Sequence, residues 1–342
     1  MGVQPGPNHE GFRFCRDGFF FDPDGLPLVL MGKVEFLHFW NCVDSCFSSP
    51  LGRKLIYAAT DAEERILANN DRYKLGRFFG RKRVKRVLRQ RALNMGWGVF
   101  GGHQITAPVH DALSVGLALA HEEHVRQLRF DMEWNQPSQD LILIDYAQKQ
   151  GNLSSAPKPT PFEWMASGKN DASKASFELD LDLREHRFFS GFEQSFFLHV
   201  SVLEHFFTSL VGRDSVVHSC MNDAIVDDDV QHAEVVRVVA HASLEAFNRS
   251  EDAIYVQKAE DWNGHLINKF TRRGLGRVKV LQSILNGGQQ SVFHINSPIA
   301  PFVAGTLIGM WQRAHGMRAS VRLSRTGNAL VLHLAEPTVD YG

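Results

Sequence analysis

Long apolar runs are missing from this chain of 342 residues. The longest, Ile299 to Trp311 in "SPIAPFVAGTLIGMW", has 13 residues and is bounded by Asn296-Ser297 and Gln312-Arg313. A bilayer span takes about 20 apolar residues, so no membrane helix is expected. The opening "MGVQPGPNHEGF" lacks the basic-then-apolar order of a secretion signal, and the expectation is a soluble, cytoplasmic protein. Charge of one sign is not in excess either. With 37 basic against 38 acidic residues, the overall field selects neither nucleic acid nor a membrane surface. Cysteine is scarce: Cys15, Cys42, Cys46 and Cys220, without an export signal, are expected as free thiols. Tyrosine is scarce too, at 5 copies against 25 phenylalanines. So dry an aromatic supply suits large cores or an apolar pocket. Finally, no nucleotide-binding glycine loop, nucleophile elbow or Cys-x-x-Cys is present. With no motif uniting acid, base, nucleophile and cofactor, the chain leans away from enzymes.

What is present is internal repetition. At a constant offset of 193, Val87-Leu88 matches Val280-Leu281, Val99-Phe100 matches Val292-Phe293, Ala107-Pro108 matches Ala300-Pro301, and Gly116 matches Gly309. Upstream, His38-Phe39 aligns with His205-Phe206, each followed by Gly-Arg (Gly52-Arg53, Gly212-Arg213). A duplication follows. Between the copies runs "QKQGNLSSAPKPTPFEWMASGKNDASKAS", whose composition is that of a linker. Phe162 and Trp164 within it are expected to dock, since aromatics are uncommon in free linkers. The expected organisation is one unit over 10–147, a linker over 148–177 and a second unit over 178–337.

Each unit reads as a strand ("LPLVLM"; "SFFLHVSV") leading into a helix with the His-Phe pair. A short apolar stretch follows ("KLIYAA"; "SVVHSC"), then a helix ("DAEERILANN"; "AEVVRVVAHASLEAFNRS"). A basic helix ending near glycine comes next ("RVLRQRALNMGWG"; "RVKVLQSILNGG"), then a strand, Ala-Pro, a glycine-containing helix and two closing strands. Thr326-Gly327-Asn328 supplies hairpin-turn chemistry. Gly305 and Gly309 share one helical face and allow close approach to a neighbour. Each forfeits roughly 1 kcal/mol of helix propensity relative to alanine, which packing on that face should recover.

At "MGWG" (Met95 to Gly98), "SPIAPFVAGTLIG" (Ser297 to Gly309) and the closing hairpin, the chain resembles the 4-vinyl-reductase-type ligand-binding domain. That family includes bacteriochlorophyll 4-vinyl reductase accessory proteins and aromatic-sensing input domains of bacterial activators, and is related in fold to subunits of the transport-protein-particle tethering complex. The resemblance implies an α+β fold of two similar units, each a small antiparallel sheet with helices packed on it. It also implies pairing through helices, so the two copies would form an internal pseudo-dimer. Family hairpins often carry zinc-binding cysteines. None lies between Phe130 and Tyr146 or between Val321 and Ala335, so no hairpin zinc is expected and no cofactor is predicted.

Candidate sites are few. Trp97, set between two glycines, and His103 are candidate contacts for an aromatic ligand, joined by His38 and His205 of the paired His-Phe motifs. Arg81, Lys82, Arg83, Lys85, Arg86 and Arg89 belong to an uninterrupted basic segment, Arg77 to Arg91, suited to an anion or an acidic partner. The second copy keeps Arg272, Arg273, Arg277 and Lys279. His38, Cys42 and Cys46 fall at i, i+4 and i+8, a span of roughly 12 Å that one ion cannot bridge. An adjacent pair could bind a metal with ligands from elsewhere, but core thiols and a packed histidine are the preferred reading. "AHEEHVRQ" lacks the spacing of a metalloprotease and reads as an exposed, charged helix end.

The expected function is a non-enzymatic tandem module that binds a small apolar or aromatic ligand, a protein partner, or both, in a regulatory or adaptor role. A homodimer is a further expectation; a nucleic-acid partner is not. The alternatives are an accessory protein or reductase acting on a tetrapyrrole-like pigment precursor, and an assembly scaffold.

Overall fold

The computed structural model describes residues 11–76, 80–150, 155–168, 174, 179, 181–285 and 288–337. Arg77, residue 10, much of the expected linker (151–154, 169–173, 175–177) and residues 178 and 180 of the expected second unit lie outside the described residues. The architecture is α+β with sheets that are antiparallel apart from one short parallel pairing at an edge, Ile225–Val226 beside Arg322–Leu323.

The chain opens with β1 (Arg13–Phe14) and β2 (Phe20–Phe21), then β3 (Pro27–Gly32). Residues 28–32 of β3 are all buried, as in a strand covered on both faces. The helix α1 (Lys33–Ser45) follows at once, then α2 (Gly52–Ala68) and the basic α3 (Gly80–Met95). "KLIYAA", expected as a separate stretch, is the first part of α2, because Leu55, Ile56, Ala59, Ala62 and Ile66 continue one helical stripe. β4 (Val99–Phe100) and β5 (Gln104–Thr106) precede α4 (Asp111–Arg126), and β6 (Phe130–Ser138) with β7 (Leu141–Gln148) forms the closing hairpin.

A similar order runs again. β8 (Asp182–Arg184) and β9 (Arg187–Ser190) lead to β10 (Glu193–His199) and α5 (Val200–Thr208). "SVVHSC" forms no regular element. β11 (Ile225–Val226), α6 (Ala233–Asn248) and α7 (Trp262–Lys269) follow. β12 (Arg277–Ile284), β13 (Gln290–Asn296), α8 (Ala300–His315), β14 (Ser320–Thr326) and β15 (Ala329–Ala335) close the chain. "RVKVLQSI" is thus a strand where a helix was expected. Valines at 278 and 280 alternate with exposed Arg277 and Lys279, a period of two that the basic composition masks.

The two halves meet in one sheet ordered β1-β2-β3-β10-β9-β8. β3 and β10 pair antiparallel at its centre, with Leu30 opposite Phe197. Around that seam α1 packs on α6, and α5 packs on α2. The phenylalanines fill this junction: Phe39 meets Phe302 at 5.3 Å, Trp40 meets Phe206 at 5.4 Å, and Phe36 meets Phe196 at 5.6 Å between ring centroids. One core cluster therefore spans both halves. Trp164 is also buried there and donates through Nε1 to the Gln231 carbonyl at 3.0 Å, with the Phe162 ring tilted against it at 4.7 Å.

α8 accounts for the apolar run. Every residue from Ala300 to Trp311 is buried. A Cβ on Gly305 would overlap the Ala240 carbonyl of α6, and one on Gly309 would meet the Phe247 ring. In the first half, Gly116 of α4 stands over the Ile56 carbonyl of α2 in the same way. α4 and α8 both have 16 residues and both end in a left-handed cap, Gln127 and Gly316. Starts (111, 300), caps (127, 316) and carbonyl-facing glycines (116, 305) all differ by 189. The offset of 193 sets Gly116 against Gly309 instead, which faces a ring and not a carbonyl. Val87-Leu88 lies in a helix but Val280-Leu281 in a strand, so that match is not structural.

Candidate functional site

Inside the first half, a set of charged side chains is sealed from water. Glu63 of α2 and Arg91 of α3 pair at 2.7 Å (Nε to Oε1) and 3.1 Å (Nη2 to Oε2). His121 of α4 approaches Glu63 Oε1 at 3.0 Å through Nε2. Arg91 Nη2 reaches Nε2 of His199, the last residue of β10, at 2.7 Å, and its Nη1 donates to the Tyr73 hydroxyl at 3.2 Å. Asp22 stands 3.6 Å from both Arg91 and His199. The chain His121–Glu63–Arg91–His199 therefore runs unbroken from α4 to the other half.

Burial alone would push Glu63 up, but the Arg91 guanidinium overrides it and holds the carboxyl far below its usual range. Burial would lower Arg91, and Glu63 reverses that. His199 is held down at about 3 by burial, with Arg91 adding to the effect. His121 is lowered by burial in spite of Glu63. Burial raises Asp22. The network thus sets one guanidinium against Glu63, with Asp22 beside it, while burial disfavours charge on both imidazoles.

Each end of the chain opens on a cleft. The first, about 400 Å³, lies between α3, the β4–β5 turn, α4 and β7. Lys85, Arg86 and Arg89 are on its rim, Phe100 and Tyr146 give it aromatic walls, and His121 belongs to its lining. The Phe100 and His121 rings are 5.3 Å apart. Glu122, the acid in the cleft, is paired with Arg126. The second cleft, about 320 Å³, is lined by Pro27, Arg65, Ile66, His199, Glu204 and His205. Burial, helped by Arg65, lowers His205 to about 4, and burial raises Glu204. A larger groove along β6 and β7 mixes Arg53 and Lys149 with Asp131, Glu133 and Asp145, and selects no charge.

The expected ligand contacts do not converge. Trp97 is fully buried and donates through Nε1 to the Phe197 carbonyl at 2.7 Å, so it joins the halves and does not line a pocket. His103 is exposed, with Nδ1 3.1 Å from the Ile144 carbonyl, and packs against Tyr146 at 5.7 Å. His38 is half-buried on α1 and lines neither cleft. Of the four, His205 alone lines a cleft.

The basic segment divides. Arg81, Lys82, Lys85, Arg86 and Arg89 are exposed on α3, and the exposed Arg83 donates to the Lys74 carbonyl at 2.7 Å. Arg91 turns inward, since Val84, Leu88, Arg91 and Met95 share the buried stripe. In the second half, Arg273 is not a surface cation. It pairs with Glu35 of α1 and donates to the Leu30 carbonyl, and with Lys269 it holds Glu35 at about 2 against the opposing effect of burial. The "AHEEHVRQ" segment is also not an exposed end: His121, Glu122 and Glu123 are buried, with Glu123 paired to Arg129 at 2.6 Å.

The cysteines are all free and buried. Cys42 and Cys46 do not stand with His38. Among the described residues, their third companion is His241 of α6. The Cys46 thiol holds Cys42 down at about 5 against burial, and Cys46 itself is pushed up.

No family model, curated protein or solved structure matches this chain. Among the described residues, no helix is long and apolar enough to cross a membrane.

Proposed function

We propose that this protein is a non-enzymatic, tandem 4-vinyl-reductase-like module that binds a flat aromatic anion in the first cleft and transmits occupancy to a protein partner. The observation that carries the reading is the convergence of Lys85, Arg86 and Arg89 on a cleft walled by Phe100 and Tyr146 and bordered by His121. Cations at the mouth would meet a carboxylate or sulfonate, and the rings would stack on the ligand's face. His121 is one bond from Glu63, and the chain of contacts continues to His199 at the seam between the halves. A ligand that shifts His121 therefore acts on the sheet where β3 and β10 pair. Glu63 itself is fully committed to Arg91, so it is a poor general base. This favours sensing over turnover.

Titration calorimetry with naphthoate, against the neutral analogue naphthylmethanol, tests the reading. The acid should bind more tightly, and Lys85→Gln/Arg86→Gln/Arg89→Gln should weaken it on the order of tenfold, each exposed charge contributing about 0.2–1 kcal/mol. Equal binding of acid and alcohol, or an unaffected triple variant, overturns it.

A further inference from the structure

Across the seam, α1 of the first half faces α6 of the second. Cys42 and Cys46 lie four residues apart at the end of α1, so their thiols leave on one side. α6 brings His241 to the same place. One ligand atom from each of the three lies within 4.8 Å of the other two, and all three residues are buried. The His241 imidazole already interacts with the Cys42 thiol across the helix interface, yet one of its ring nitrogens is left over. The Cys46 thiol donates to the Cys42 carbonyl at 3.2 Å, but Nδ1 of His241, a residue only 6 % exposed, has no hydrogen-bond partner. An unpartnered buried nitrogen of this kind costs about 1–3 kcal/mol, and such groups call for an explanation. Cys220 is a useful contrast, since it takes a hydrogen bond from Gln312 at 3.4 Å.

We propose that Cys42, Cys46 and His241 bind a thiophilic cation, Zn²⁺ or Cu⁺, which clamps α1 of one half to α6 of the other. Two sulfurs and an imidazole nitrogen form a soft donor set suited to these ions; Mg²⁺ and Ca²⁺ prefer oxygen. Bonds of about 2.3 Å to sulfur and about 2.0 Å to nitrogen draw donors to roughly 3.5–4 Å of each other, a small closure from the observed spacing. Binding releases the thiol protons to solvent and changes no oxidation state. Two thiolates neutralise Zn²⁺, so the buried complex gains no net charge, which limits its desolvation cost. The cluster lies away from the closing hairpins and owes nothing to the ligand-binding reading above.

The test uses the full reduced chain, stripped with a chelator and dialysed against Zn²⁺, or anaerobically against Cu⁺, with the retained ion counted by mass spectrometry. One ion per chain is expected in at least one arm, and the arm that succeeds names the metal. Cys42→Ser and His241→Ala should each weaken retention by at least about tenfold, while Cys220→Ser retains it. Co²⁺ should give a thiolate charge-transfer band in the wild type that Cys42→Ser lacks. The ion should raise the melting temperature of the wild type and not of Cys42→Ser. If His241→Ala does not fold, the near-isosteric Cys42→Ser carries the test. Retention in neither arm, or equal retention by Cys42→Ser and Cys220→Ser, overturns the proposal.

Discussion

The Arg91–Glu63 pair makes a demanding prediction. Both side chains are sealed, Glu63 completely and Arg91 to within 6 % exposure. Arg91→Met removes the guanidinium but leaves a carboxylate with His121 as its remaining contact and His199 without its partner. Breaking a buried pair on one side costs about 3–5 kcal/mol, because the surviving charge is neither solvated nor neutralised. At roughly 2 °C per kcal/mol for a chain of this size, the melting temperature should fall by about 6–10 °C. The reasoning also fixes the rescue. Arg91→Met with Glu63→Leu removes the pair and leaves Asp22, which burial already pushes toward its neutral form, as the remaining carboxyl; replacing such a pair by apolar groups is often neutral. The loss of the His121 hydrogen bond then leaves a deficit of about 1–3 kcal/mol. The double variant should therefore be more stable than Arg91→Met alone. A double-mutant cycle by urea unfolding, followed by circular dichroism, reads this directly. A double variant no more stable than Arg91→Met would refute the claim that an uncompensated carboxylate is the source of the damage.

Three further outcomes are expected. His199 at about 3, His205 at about 4 and His121, also lowered, all take protons more readily unfolded, where the value is 6.5. Their contribution is complete above pH 6.5 and is lost as pH falls toward about 4, at about 1.4 kcal/mol per unit for each histidine titrating only in the unfolded chain; urea midpoints across that window that stay flat would contradict it. Gly305→Ala drives a methyl into the Ala240 carbonyl and should cost about 1–3 kcal/mol net, whereas Gly309→Ala meets a movable Phe247 ring and should cost less, a ranking that thermal melts decide. Trp97→Phe removes the indole hydrogen bond to the Phe197 carbonyl at the centre of the shared sheet and should cost about 0.5–1.5 kcal/mol, checked by the same melts.

Elements whose side chains obey one periodicity were legible in the sequence. β3, β10, α6, α8 and the hairpin at Gly327 fall where apolar spacing and turn residues put them. β12 was not, because Arg277, Lys279 and Gln282 give a strand the polarity of a surface helix. The site was less legible than the fold. Arg91 is the last of eight basic residues, and its inward turn depends on a register shared with Val84 and Leu88. Glu63 and Asp22 carry no local signal, since only tertiary packing brings them to Arg91. His121 was visible as a residue but misplaced, because charge in "HEEH" suggests water, and each of those acids has an arginine from elsewhere or a turn away. His241 lies nearly 200 positions beyond Cys42, so the two can be linked only once α1 is known to cross onto α6.

That crossing has a consequence for partners. Here α1 is covered by α6 and α2 by α5, while β3 is hydrogen-bonded to β10. The Phe39–Phe302 and Trp40–Phe206 contacts bury aromatic surface within this one chain. A partner would read surfaces outside this seam, and the exposed side of α3 offers Arg81, Lys82, Lys85 and Arg86 beside the first cleft. An acidic protein docking there would compete with or complete the ligand cleft. Ligand and partner would then be linked thermodynamically through a few side chains, without any large rearrangement of the shared core.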